Sequence, residues 1–143
     1  MARINSIGMD ELLDSIVRER KATPDTMKKM IEAAGDVYVQ ETKNQIFLYG
    51  VVDKGVTVES IKRGSVGKLR NGYRLEVWPA GMRVDKKHPR GERIETIAFV
   101  TEYGWDSSKG HVAARPFMAT AAKLAPPQAD EAMIEVWERE SKL

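Results

Sequence analysis

Residues 24–47 read PDTMKKMIEAAGDVYVQETKNQIF, and the period of their apolar positions decides how the rest of the chain is read. Met27, Met30, Ile31, Ala34, Val37 and Tyr38 recur at steps of three and four, the spacing of one face of an α-helix. Thr23 is suited to cap such a helix. Pro24 fits its first turn, where no N–H is needed, and Asp25 suits its positive end. The stretch predicts one long helix over 24–47. Gly35 in its interior costs roughly 1 kcal/mol against Ala and points to a close helix crossing.

Before this stretch, Met9, Leu12, Leu13, Ile16 and Val17 repeat the helical spacing. They predict a short helix over 8–21, and Arg18-Glu19-Arg20-Lys21 places cations at its negative end. After it, Tyr49 to Gly55 is a break and the period changes to two. Val56 and Val58 alternate with Thr57 and Glu59, and Tyr73, Leu75 and Val77 alternate with Arg74, Glu76 and Trp78. A glycine-rich turn, Gly64 to Gly72, lies between them. Arg93 to Tyr103 reads as a further strand, apolar on both faces at Ile97-Ala98-Phe99-Val100, and so as the central one. Phe99 is then a core residue, and Phe99→Ala should cost about 3–5 kcal/mol. The pattern returns to helix over 116–141, opened by Pro116 and stopped or kinked at Pro126-Pro127.

Helices, then strands, then helices argue for an α+β fold. The expected arrangement is an antiparallel sheet of three to four strands over 56–103, packed against the long N-terminal helix, with C-terminal helices. One domain, 1–143, is expected.

The composition fits that reading. The chain has 143 residues, 42% hydrophobic and 31% charged, which supports a packed core and not a disordered chain. No run of about 18 apolar residues exists to span a membrane. Asp10, Glu11 and Asp14 stand where a secretory leader would need its apolar stretch, so a cytosolic origin and no membrane are expected. Cysteine is absent, which excludes disulfides, thiol nucleophiles and thiolate metal sites.

Chemistry-bearing motifs are sparse. His88 and His111 lie in polar loops without the spacing of a metal pair. Ser107, His111 and Asp106 contain the letters of a triad, but no Gly-x-Ser-x-Gly elbow accompanies them. Gly64-Ser-Val-Gly67-Lys68 fails as a phosphate loop, because Lys62 stands where the first glycine belongs and Leu69 where Ser or Thr must bind the metal. The same Gly64-x-x-Gly67 lies among strands, whereas a KH clamp joins two helices. No catalysis, cofactor or metal is expected.

The net charge of +2 is unevenly spread. Residues 53–95 hold eleven Lys/Arg against six Asp/Glu, a net of +5. The sharpest feature is the connection Pro79–Glu92 and its edge. Arg83, Lys86, Lys87, Arg90 and Arg93 face only Asp85 and Glu92, a net of +3. The bland reading is a solvated hairpin tip; the functional one is contact with phosphates or with an acidic neighbour. No aromatic residue interleaves these cations, so base stacking is not supported. A small nucleic-acid-binding domain using this loop is the alternative to the reading that follows.

Residues 98–121 run Ala-Phe-Val-Thr-Glu-Tyr-Gly-Trp, a loop, then Ala-Ala-Arg-Pro-Phe-Met-Ala-Thr-Ala-Ala. This resembles the minor tail-component family of tailed bacteriophages, also called tail-completion, neck or head–tail joining proteins. Glu102, Tyr103 and Gly104 match the first half of the family's motif, and Arg115, Pro116 and Phe117 the second. Ile7-Gly8-Met9-Asp10-Glu11-Leu12-Leu13 is similar to the family's opening. Thr101 and Pro126-Pro127 depart from its pattern.

The resemblance implies a virion structural protein, assembled in the bacterial host cytoplasm and resident in the neck or upper tail. It implies a homo-oligomeric ring, six- or twelve-fold, joined to adjacent neck and tail proteins. Non-specific contact with DNA in the lumen is a further expectation. Glu102 and Arg115 are expected to pair across the loop, and the basic loop to meet a neighbouring ring or DNA.

Overall fold

The computed structural model describes residues 24–51 and 55–141. The expected 8–21 helix and the Thr23 cap lie outside the described residues. The long helix, α1 (Pro24–Leu48), matches expectation. Its buried face comprises Met27, Met30, Ile31, Ala34, Gly35, Tyr38, Thr42, Gln45 and Ile46. Lys29 reaches Asp25 one turn back at 3.3 Å and Glu140 near the end of the chain at 3.1 Å. Hydrogen bonds and proximity to Glu140 and then Asp25 raise the Lys29 ammonium above its ordinary value.

The helix ends because Gly50 takes a left-handed φ of 65°. The Gly50 N–H then bonds the Phe47 carbonyl and the Val51 N–H the Ile46 carbonyl. These two bonds make a Schellman motif, which satisfies carbonyls that the last turn would leave open.

α1 packs along α5 (Pro126–Ser141) and against α4 (Phe117–Leu124). Ala125 between α4 and α5 keeps helical geometry. Pro126 and Pro127 fall in the first turn of α5, where a missing N–H is harmless. The prolines thus punctuate the C-terminal helices, which occupy the span expected. Met30, Tyr38, Ile46, Phe117 and Met133 join Ile61, Val77 and Ala98 in one apolar cluster.

The middle of the chain departs from expectation. Among the described residues there is no sheet of three or four strands. Eight short strands pair as four separate antiparallel ribbons: β1 (Ile61–Arg63) with β4 (Val77–Pro79), β2 (Gly67–Leu69) with β3 (Gly72–Arg74), β5 (Met82–Arg83) with β6 (Glu92–Arg93), and β7 (Trp105–Ser107) with β8 (Gly110–Val112). The class is mixed helix and sheet, broadly α+β. The β1–β4 ribbon carries the core contribution, with Ile61, Val77 and Pro79 buried.

It lies on α1, where Arg63 pairs with Asp36. A Cβ at Gly35 would stand 2.7 Å from a Leu75 methyl. Gly35 therefore serves the approach of the segment between β3 and β4, and not a helix crossing.

Two expected strands are helices. Val56–Ser60 forms a short helix, α2. Its turn is closed by the Glu59 N–H on the Gly55 carbonyl and the Ser60 hydroxyl on the Thr57 carbonyl. Ile94–Tyr103 forms α3. Its buried residues are Ile94, Ala98 and Glu102, spaced by four, so the packed face follows a helical period. Phe99 is 62% exposed. The expectation that it is a core residue is overturned.

A short apolar run of β-branched and aromatic residues does not by itself separate a buried strand from a helix. Here the partner of Glu102 decides.

Candidate functional site

α3, the β7–β8 hairpin and the start of α4 meet in one corner. It brings together all six motif residues, Glu102, Tyr103, Gly104, Arg115, Pro116 and Phe117. Glu102 is only 8% exposed. Its Oε2 accepts the Met118 N–H and its Oε1 the Ala119 N–H, both at 2.9 Å. The carboxylate of one helix thus satisfies two open donors in the first turn of another, at that helix's positive end.

The expected Glu102–Arg115 pair is not formed. Arg115 is held apart in a second way: its backbone N–H bonds the Thr101 carbonyl at 2.7 Å, and its Nη1 donates to the Gly50 carbonyl at 3.2 Å. It ties the corner to the end of α1. The backbone donors of α4 take both oxygens of the carboxylate instead.

The turns at this corner are tightly specified. Pro116 has φ −78° and ψ 64°, and the Phe117 N–H bonds the Arg115 carbonyl at 2.8 Å, an inverse γ-turn. That turn drives Phe117, fully buried, into the core. Gly104 has a φ of 75°. A Cβ there would stand 2.6 Å from the Val112 carbonyl oxygen and 2.8 Å from the Ala114 nitrogen. Only glycine fits.

With Glu102 turned inward, Phe99 and Tyr103 turn outward. Tyr103 is 70% exposed, and the two rings lie 4.8 Å apart between centroids. They border a groove of about 410 Å³ whose walls include Trp78, Ala98, Met118 and Ala122. Glu95 also lines it. Trp105 and Val112, paired across the next hairpin, are exposed as well.

The basic loop is more ordered than its composition suggests. The β5–β6 ribbon closes it at the base. Inside it, Arg83 bonds Glu92 at 2.9 Å and lies 3.3 Å from Asp85. Asp85 Oδ1 accepts the N–H groups of Lys87 and His88, an Asx turn. His88 Nδ1 lies 3.0 Å from Asp85 and its Nε2 3.4 Å from Glu92. Partial desolvation pushes the Asp85 carboxyl up, but the bonds from the His88 N–H and ring and from the Lys87 N–H outweigh it and hold it below its ordinary value.

Arg83 is therefore committed to the loop's own frame, while Lys86, Lys87, Arg90 and Arg93 are exposed. His88, expected only as a polar-loop residue without metal-pair spacing, sits between Asp85 and Glu92 and helps organise the loop. The signal was there in the three- and four-residue spacing of Asp85, His88 and Glu92.

The other candidates serve turns. Asp106 and His111 oppose each other across β7–β8, and the Ser107 hydroxyl bonds the Gly110 carbonyl. Gly64 lies under the Trp78 ring. Among the described residues no three His, Asp or Glu side chains converge as metal ligands would, and no helix is long and apolar enough to cross a membrane. Compared with protein-family models, with curated proteins and with solved structures, the chain shows no significant match.

Proposed function

We propose that this protein is a structural component of a tailed-phage or prophage-derived particle, a ring-forming subunit of the neck or upper tail that works by binding. The observation that carries the reading is the corner built by Glu102, Gly104 and Phe117. The two motif halves in which the chain resembles the minor tail components have one shared physical purpose here. They lock α3 to α4 and leave Phe99 and Tyr103 facing outward beside a groove. A rigid element that presents adjacent exposed aromatics is what an assembly surface requires.

A nucleic-acid-binding domain is the rival. It draws on Lys86, Lys87, Arg90 and Arg93, but Arg83 is already neutralised by Glu92 and Asp85.

Native mass spectrometry of the purified chain, alone and with neighbouring tail proteins, tests the proposal. A discrete closed oligomer that the neighbours extend supports it. A monomer at every concentration that shifts duplex DNA with a steep salt dependence overturns it in favour of the rival.

A further inference from the structure

We infer that the groove beside Phe99 and Tyr103 receives the β5–β6 hairpin of a second copy of this chain. The inference rests on the ring reading above and adds which two surfaces meet. The groove is apolar and acidic. Its described lining holds two carboxylates, Glu95 and Glu102, and no cation. Glu102 is occupied by the start of α4, which leaves the exposed Glu95 to meet a partner.

The hairpin is apolar and basic. Met82 and Val84 are 59% and 68% exposed. They flank Arg83, Met82 in β5 and Val84 just past its end, and both lie over Gly91. Arg83 between them points the other way, to Glu92. Beyond them the loop carries the exposed cations Lys86, Lys87 and Arg90.

The match is double: an apolar pair against an aromatic pair, and cations against a carboxylate. Ammonium and guanidinium groups also bind well to the faces of Phe and Tyr rings. The two surfaces do not cover each other within one chain, because Met82, Val84, Phe99 and Tyr103 are all exposed. Ile94, at the start of α3, is tied to Gly81 beside the hairpin's base. The hairpin of another copy supplies the complementary surface that the chain's own hairpin does not. A contact between two different surfaces of the same chain is heterologous, and such a contact generates a closed ring when its rotation closes.

The test uses two variants of the full chain, Glu95→Lys and the triple Lys86→Glu, Lys87→Glu, Arg90→Glu. Every altered residue is exposed, so thermal midpoints should match the wild type. Each variant alone opposes like charges, and its self-association at low salt should weaken by about tenfold or more. Mixing the two should restore assembly with the subunits alternating, because each interface then joins opposite charges. All four substitutions in one chain should restore it too. A second pair, Phe99→Ser and Val84→Ser, tests the apolar half of the contact and should each weaken assembly.

If the wild type assembles and the variants assemble equally well, or the mixture does no better than its parts, the inference fails while the ring reading stands. A wild type that stays monomeric at all concentrations removes the ring reading itself. If the α3 amides of such a monomer are protected from exchange, and removal of residues 1–23 abolishes the protection, the groove belongs to the chain's own N-terminal segment and the inference is overturned.

Discussion

The first-turn N–H groups of Met118 and Ala119 lose their carboxylate acceptor if Glu102 is shortened. Met118 is half-buried and Ala119 exposed, so water can take over part of that bonding, and Glu102→Ala should lower the unfolding free energy by about 1 kcal/mol, the scale of a lost helix cap, in urea titrations. Glu102→Gln keeps one good acceptor and should lose less. An Ala variant as stable as the wild type would show that α4 does not depend on this carboxylate. Gly104→Ala should be at least as damaging, since left-handed backbone strain alone costs about 1–3 kcal/mol and the new methyl meets the Val112 carbonyl. Asp85 makes a prediction about pH. Its carboxyl is held below the ordinary 3.8, so its bonds contribute fully above that value. They are lost as pH falls through the lower folded value. The protection factors of the Lys87 and His88 amides, each taken relative to intrinsic exchange at the same pH, should hold at neutrality and fall only below about pH 4; protection that does not fall in acid would show that the Asp85 carboxylate does not hold these amides.

At the scale of elements, α3 separates two roles that lie eighteen residues apart in the sequence. Phe117 is fully buried and Phe99 is not. Phe117→Ala should cost about 3–5 kcal/mol. Phe99→Ser should change stability by no more than about 0.5 kcal/mol, as exposed positions do, and yet weaken assembly. Paired denaturation and sedimentation measurements on the two variants check this. A large stability loss at Phe99 would mean that α3 is packed with this face inward. The ribbons explain themselves at the same scale. A two-stranded hairpin is marginal alone, so β1–β4 persists by lying on α1, and β5–β6 by the Arg83–Glu92 ion pair and the Asp85 turn within its loop.

At the scale of the whole molecule, the charges that remain free should matter between copies and not within one. Changing Lys86, Lys87 and Arg90 together to Ser should leave the unfolding midpoint almost unmoved, because each exposed charge contributes roughly 0–1 kcal/mol. The same variant should assemble more weakly, and its deficit against the wild type should shrink in high salt, where surface charges are screened over about a Debye length. Equal assembly of both proteins at low and high salt would reduce the loop to a solvated tip.

The long α1, the C-terminal helices and the α+β class were legible in the sequence, because a helix of two dozen residues repeats its apolar spacing enough times to exclude other periods. The residues of the corner entered as a group through the resemblance, and the structure does bring Glu102, Gly104, Pro116 and Phe117 together. The state of 94–103 was not. Ile97-Ala98-Phe99-Val100 satisfies a buried strand as well as a helix, and the choice is made by Glu102 finding the first turn of α4, sixteen and seventeen residues further on. Local spacing carries no information about a partner at that distance. The same contact turns Phe99 outward, and so only the tertiary structure turns an expected core residue into the edge of a groove.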